Sequence, residues 1–377
     1  METERIDAAP APEDRADLDP AERGDSPIEA AALTGITVTP GLRPLAAPEH
    51  REAVARERRA EARPARREPR PPASGSGLGD RLFDTVTAAF AGLILVILAG
   101  LLLILVLQAR EAIQHFGLGF LTGQTWDVNT NLFGAAPAIE GTLYTSLLAL
   151  LLATPVGLMV SMFLTEMAPR SIRASLGFVV ELLAAVPSIV YGLWALIVLV
   201  PLVRDYIQPP LLDHFGATPF FSGYPLGLGV FTAALILSIM ILPTVASISR
   251  DVMLAVPNSQ RDAMLALGAT RWETTWKAVI PYARSGIVGA VVLALGRAVG
   301  ETMAVQMVIG NTYAANWSVF NTGTTLPATI VTQFPEATTP LHEASLIELA
   351  LILMVVTLIL NAVARLLVWR MTTKAVA

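Results

Sequence analysis

The sequence predicts an all-α membrane protein with six transmembrane helices. Three observations carry this. Apolar runs of about 20 residues, the length that spans hydrocarbon as a helix, recur six times. Charge is concentrated at one end: 28 of the 57 Asp, Glu, Lys and Arg residues lie in the first 80 of 377 positions. Basic residues beyond that point fall in alternate loops. A soluble domain has about a quarter of its residues charged, against 15% here, so one water-soluble core is excluded.

Residues 1–80 are rich in Ala, Pro, Arg and Glu, as in REAVARERRAEARPARREPRPPASGSG. Such a segment buries too little apolar surface to offset its ordering entropy, so it reads as a disordered tail. Its first 30 residues hold no apolar core of a signal peptide, so the first apolar run is expected to act as an uncleaved anchor. The predicted spans are Val86–Leu107, Gly141–Leu164, Leu176–Val200, Leu228–Ile248, Gly286–Ile309 and Ile347–Leu367. Pro155, Pro187 and Pro243 interrupt three of them, which membrane helices tolerate. Residues 81–377 thus form the membrane domain.

Lys and Arg favour cytoplasmic loops. With the tail inside, the inner loops hold Arg170, Arg173, Arg250, Arg261, Arg271, Lys277, Arg284, Arg365, Arg370 and Lys374. The outer loops hold only Arg110 and Arg204. Both termini are therefore expected in the cytoplasm, with the spans in contact with lipid. The long outer connections carry Trp126, Trp317, Asp127, Asp205, Asp213, Glu336 and Glu343. They read equally as interfacial anchors or as a docking surface.

The net charge of −5 gives no basis for nucleic-acid binding, and with no cysteine there is no disulfide or thiolate site. The four histidines are scattered and read as surface or loop residues. No metal or cofactor is expected. The sequence has no G-x-x-x-x-G-K-[ST] loop, so any ATP hydrolysis belongs to a partner.

Two features remain. The inner loop RDVMLAVPNSQRDAMLALGATRWETTWKAVIPYAR, from Arg250 to Arg284, reads as a short helix, a turn at Gly268 and a second helix up to Pro281. A rigid knob of this kind transmits force from a soluble partner; an ordinary amphipathic helix pair is the plainer reading. The fifth span carries Arg297 and Glu301. Arg297 lies 13 residues past Arg284, about 20 Å along a helix, too deep to reach the inner surface easily. A charge at mid-bilayer costs about 2.5–3.5 kcal/mol on insertion scales, so both residues should face protein or a wet cavity. Spacing i, i+4 would put them on one helix face, either as a structural pair or as groups facing an anion. Gly296 and Gly300 would let a neighbouring helix approach. A guanidinium fork suits an oxyanion.

DAMLALGATRWETTWKAVIP resembles the EAA loop of ABC importer permeases, with Asp262, Ala263, Gly268 and Pro281 in register. Asp262 stands for Glu, Met264 for Ala, Ala278 for Ile and Ile280 for Leu. LGRAVGETMAVQMVIGNT, AAVPSIVYGLWAL and PLHEASLIELALILMVVTLILNAVARLLV resemble the C-type permease subunits of Pst phosphate importers. The resemblance covers about Asp80 to Arg370 and implies the type I importer permease fold. It also implies a homologous second permease, two copies of an ATPase subunit seated on the loop, and an extracytoplasmic phosphate-binding protein. Arg297, Glu301 and Thr302 would line the substrate path, and the chain would not itself be an enzyme. The alternatives are a permease for sulfate, molybdate or phosphonate, a gradient-driven carrier, and a receptor with a regulatory tail.

Overall fold

The computed structural model describes residues 78–314 and 318–373; the side chains of Leu78, Arg170, Leu367 and Arg370–Thr373 are not described. The expected disordered tail and Trp317 lie outside the described residues. Six helical stretches there are long and apolar enough to cross a membrane: Gly79–Gln108, Ala136–Met167, Ser188–Phe215, Val230–Leu254, Arg271–Val299 and Pro340–Leu366.

In chain order the elements that matter are as follows. α1 is Leu78–Gln108, α2 Arg110–Phe116, β1 Trp126–Asp127 and β2 Leu132–Phe133. Then come α3 (Ala136–Met162, running on to Met167), α4 (Arg170–Ala184) and α5 (Ser188–Trp194, running on to Phe215). α6 is Val230–Leu254, α7 Asn258–Ala266, α8 Ile280–Val299 and α9 Met303–Val308. α10 (Leu326–Gln333) and α11 (Pro340–Thr373) complete the chain.

α6 is the hub, packing on α3, α8, α4 and α9. Its core is built from small and branched side chains: Ala149 and Ala153 of α3, Ala233, Ala234, Ile236, Leu237, Ile241 and Val245 of α6, Ala294 and Ala298 of α8. Lipid tails are as apolar as leucine, so membrane helices gain by close packing rather than by leaving water, and small residues allow it. Gly286 of α8 shows this: a Cβ there would lie 2.4 Å from Val252. Outside this hub, α1 is apolar and exposed along its described length, as suits contact with lipid or another subunit.

The start of α3 is held as tightly. A Cβ on Gly141 would lie 1.8 Å from the Thr324 carbonyl oxygen. Thr142 Oγ1 also accepts the Leu326 N–H at 2.8 Å. Gly141→Ala is therefore expected to cost about 3 kcal/mol or more, through overpacking against backbone that cannot yield. Thermal denaturation of the purified protein checks this.

One expectation for the outer connections is corrected, at His342. The Trp126 ring packs 4.8 Å from Phe133, 5.3 Å from Tyr313 and 5.9 Å from His342. His342 is 0% exposed and stacks on Phe133 at 5.0 Å, so it is a core residue rather than a surface one. Asp127 holds its own turn, accepting from Asn129 N–H and Thr130 Oγ1, and Asp205 pairs with Arg204 at 2.7 Å. Both acids are thus locally engaged. His50 lies outside the described residues.

Candidate functional site: two helix breaks and a coupling loop

The third and fifth apolar runs are not continuous helices. Within Leu176–Val200, α4 ends at Ala184 and α5 starts at Ser188. Pro187 is the cause, because its ring disfavours helical backbone at Val186. Within Gly286–Ile309, α8 ends at Val299 with Gly300 as its cap, and α9 starts at Met303. Glu301 and Thr302 sit in the gap.

Both breaks fall at one depth. α6 and α8 run antiparallel with Val252 against Gly286. Eleven residues further along α8, Arg297 falls opposite Ile241, the middle of Val230–Leu254. Gly192 of α5 lies against Ala304 of α9, where an added Cβ would be 2.9 Å from the Ala304 Cα. Pro187 is five residues, about 8 Å, nearer the loop end. That is the depth of Arg297 to Thr302. Non-helical backbone at mid-membrane is tolerated only where protein buries it or it lines a wet cavity.

At these breaks Arg297 is exposed and has no ion pair among the described residues. The i, i+4 reading is corrected: α8 ends before Glu301, so the two residues do not share a helix face and do not pair. Half-buried Glu301 instead accepts the Ala304 N–H at 3.3 Å, steadying the first turn of α9. Thr302 Oγ1 donates to the Gly300 carbonyl at 3.3 Å, on the same gap. Among the described residues no close helix approach is found at Gly296 or Gly300: a Cβ on Gly296 would meet only Asn361 Oδ1, at 3.9 Å, and one on Gly300 only the Gly296 and Arg297 carbonyls.

Tyr191 was not singled out by sequence. Its hydroxyl donates to the Leu183 carbonyl at 2.8 Å, bridging the break in the third span. The same carbonyl also accepts the Val186 N–H at 3.4 Å, so the phenol adds a second bond at the end of α4. The signal was present in VPSIVY, where proline precedes a hydroxyl-bearing residue, but nothing local says that the tyrosine turns back across the break.

The inner loop has the expected helix–turn–helix form. α7 is followed by Gly268 in the left-handed region at φ 82°. Thr270 and Glu273 form a capping box that starts the next helix at Arg271. That helix does not stop at Pro281. It continues through a wide π turn at Thr275–Val279 into α8, so the loop and the fifth span share one rod. The wider turn accommodates the missing N–H of Pro281. Asp262, Ala263, Gly268 and Pro281 are all exposed, and Met264 is half-buried. Leu265, Leu267, Trp272 and Trp276 are exposed beside them, Leu267 by 84%, forming an apolar surface on a polar loop.

The loop is braced from below by a contact that sequence reading missed. Arg261 pairs with Glu166 at the end of the second span at 2.9 Å, the side chains being 16% and 14% exposed. Arg261 also donates to the Val256 and Met253 carbonyls. Glu166→Gln is expected to loosen α7 by about 1–2 kcal/mol, the difference between a charged and a neutral hydrogen bond. Hydrogen exchange of residues 258–266 should speed up in that variant while the core of α6 is unchanged.

Among the described residues no cluster of three or more His, Asp or Glu could hold a metal. A sequence profile described as binding-protein-dependent transport system inner membrane component matches residues 153–373. The phosphate transport system permease protein PstC of Mesorhizobium japonicum is 44% identical over 301 residues, covering 79% of this chain and 92% of that protein. The PstC of Haemophilus influenzae is 42% identical over 296 residues, 78% of this chain and 94% of that one. PstC 2 of Mycobacterium tuberculosis is 37% identical over 295 residues, 76% and 91% of the two chains. In fold alone, the chain resembles one from a crystallised bacterial alginate ABC transporter, with TM-score 0.50, 15% identity and coverage of 77% and 96%. The chain therefore belongs to the binding-protein-dependent transport system inner membrane components and, among them, groups with the PstC permeases.

Proposed function

We propose that the chain is the transmembrane permease subunit of an ATP-driven inorganic phosphate importer. One observation carries the reading: 44% identity spread over 92% of a phosphate permease, which leaves no room for a different domain plan. The substrate path runs past the two mid-membrane breaks, where Arg297 offers an unpaired guanidinium fork to the anion. Glu301 and Thr302 shape the gap. Glu301 holds α9 and tempers the positive field, so that phosphate is not trapped.

Asp262, Ala263, Gly268 and Pro281 form the surface that seats in a separate ATPase subunit. With Leu267 and Trp272 exposed beside them, the contact is largely apolar. Because this loop and α8 are one rod, movement of the ATPase is carried directly to the depth of Arg297. The partners are two ATPase copies, a homologous second permease that completes the path, and an external phosphate-binding protein. Both termini and the basic loops lie in the cytoplasm of a bacterial inner membrane, with residues 81–377 as the permease domain.

The test is uptake of radiolabelled phosphate into vesicles holding the complete transporter, with ATP inside. Phosphate should compete with the label far better than sulfate or molybdate. If either outcompetes phosphate, the cargo is another oxyanion. If this chain transports alone in liposomes without ATP, it is a carrier rather than a permease subunit.

A further inference from the structure

We propose that a cleft between α8 and α11, toward the loop end of these helices, binds an anionic phospholipid, with its phosphate at Arg365. The cleft encloses about 460 Å³ and is lined by Gly289, Val292 and Leu293 of α8 and by Arg365, Val368 and Trp369 of α11. Apart from the guanidinium its walls are apolar. Nothing lies within 4 Å of a Cβ built on Gly289, so the missing side chain opens the notch. Leu293 and Trp369 are 59% and 62% exposed and face outward beside it.

Depth identifies the occupant. Gly296 lies beside Asn361, next to the mid-membrane residue Arg297. Arg365 is one turn further along α11, about 6 Å toward the loop end, and Trp369 about 12 Å. The hydrocarbon half-thickness is about 15 Å, so the Arg365 side chain extends to the headgroup boundary and Trp369 sits at the level indoles favour. Arg365 is exposed and has no ion pair among the described residues. An unneutralised guanidinium starting that deep is costly. The anion abundant at that boundary is a lipid phosphate, and basic pockets between membrane helices take such headgroups. An acyl chain fits the apolar wall of Val292 and Leu293. A free phosphate ion would use the guanidinium and leave that wall bare. A protein helix would cover the wall and leave the charge without an anion.

The experiment uses the complete transporter in nanodiscs of phosphatidylcholine containing photoactivatable phosphatidylglycerol. Adducts should map to the Gly289–Leu293 and Arg365–Trp369 peptides. Arg365→Gln should lower that labelling about fivefold, the loss of one basic residue's attraction, while Arg365→Lys keeps it. Gly289→Leu should lower it by filling the notch. Equal labelling in wild type, Arg365→Gln and Gly289→Leu would overturn the proposal. So would a photocrosslinker placed at Leu293 that reacts with the second permease subunit instead of with lipid, or labelling by photoactivatable phosphatidylcholine that matches phosphatidylglycerol.

Discussion

Arg297→Ala in the otherwise intact transporter should lower phosphate uptake at subsaturating phosphate about a hundredfold or more. Two charge-assisted hydrogen bonds from a guanidinium fork contribute about 1.5–3 kcal/mol each, and every 1.4 kcal/mol is a factor of about ten. Assembly should survive. Arg297 is exposed on its own chain and makes no ion pair among the described residues, so its removal leaves no buried partner behind. Arg297→Lys keeps the charge but not the fork, and should fall between alanine and wild type. Glu301→Ala should impair uptake less, because one 3.3 Å bond to Ala304 is lost. Initial rates in vesicles, with the subunit ratio measured on the same preparation, check the series. Normal uptake in assembled Arg297→Ala and Glu301→Ala transporters would leave these residues at most structural.

Gly268→Leu should uncouple ATP hydrolysis from transport. The effect is conformational rather than steric: nothing stands within 4 Å of an added Cβ, yet the backbone is at φ 82°. A side chain in that left-handed region costs about 1–2 kcal/mol. Relaxing the turn would swing α7 against the rod that begins at Arg271. The exposed Leu265, Leu267, Trp272 and Trp276 would then no longer present one surface. Stimulation of ATPase activity by the phosphate-loaded binding protein should be lost, while basal hydrolysis by the ATPase subunits persists. Unchanged stimulation in the assembled complex would rule the turn out as a coupling element. Gly268→Ala, with the same strain and less bulk, should show a weaker form of the same defect.

Much of the fold was legible because a membrane imposes one rule on every span: about 20 apolar residues, with charge outside. That rule, applied to the runs from Val86 to Leu367, counted six spans and set apart the charged first 80 positions, although the third and fifth helical spans are Ser188–Phe215 and Arg271–Val299 rather than the runs predicted. The loop was legible too. Gly268 after a short periodic segment is a local signal, and the turn it indicates depends only on neighbouring backbone.

The breaks were not legible in the same way. Hydropathy averages over a window and counts Val186–Pro187 and Gly300–Thr302 as ordinary members of apolar runs. A proline or glycine in a membrane helix is compatible with a continuous, kinked or broken helix, and neighbours decide which. Here α5 packs on α9 through Gly192, and the Tyr191 hydroxyl reaches back to Leu183. Those contacts fix how the chain continues after each break. The i, i+4 rule failed at Arg297 and Glu301 for the same reason, since it presumes the helix it is used to interpret.

The sequence by itself determined the class of molecule, the number of spans, the charged residues within them, and the helix–turn–helix form of the loop from Arg250 to Arg284. These follow from composition and short-range spacing, which the chain carries wherever it folds. Only the tertiary structure decided that the third and fifth apolar runs break close to where α5 meets α9, that Arg297 makes no ion pair among the described residues while Glu301 turns to α9, and that Arg261 is braced on Glu166. The first and the last depend on segments about 95 to 115 residues apart meeting, α5 with α9 and Arg261 with Glu166. Their energies come from close packing and backbone hydrogen bonds that exist only once the helices are assembled.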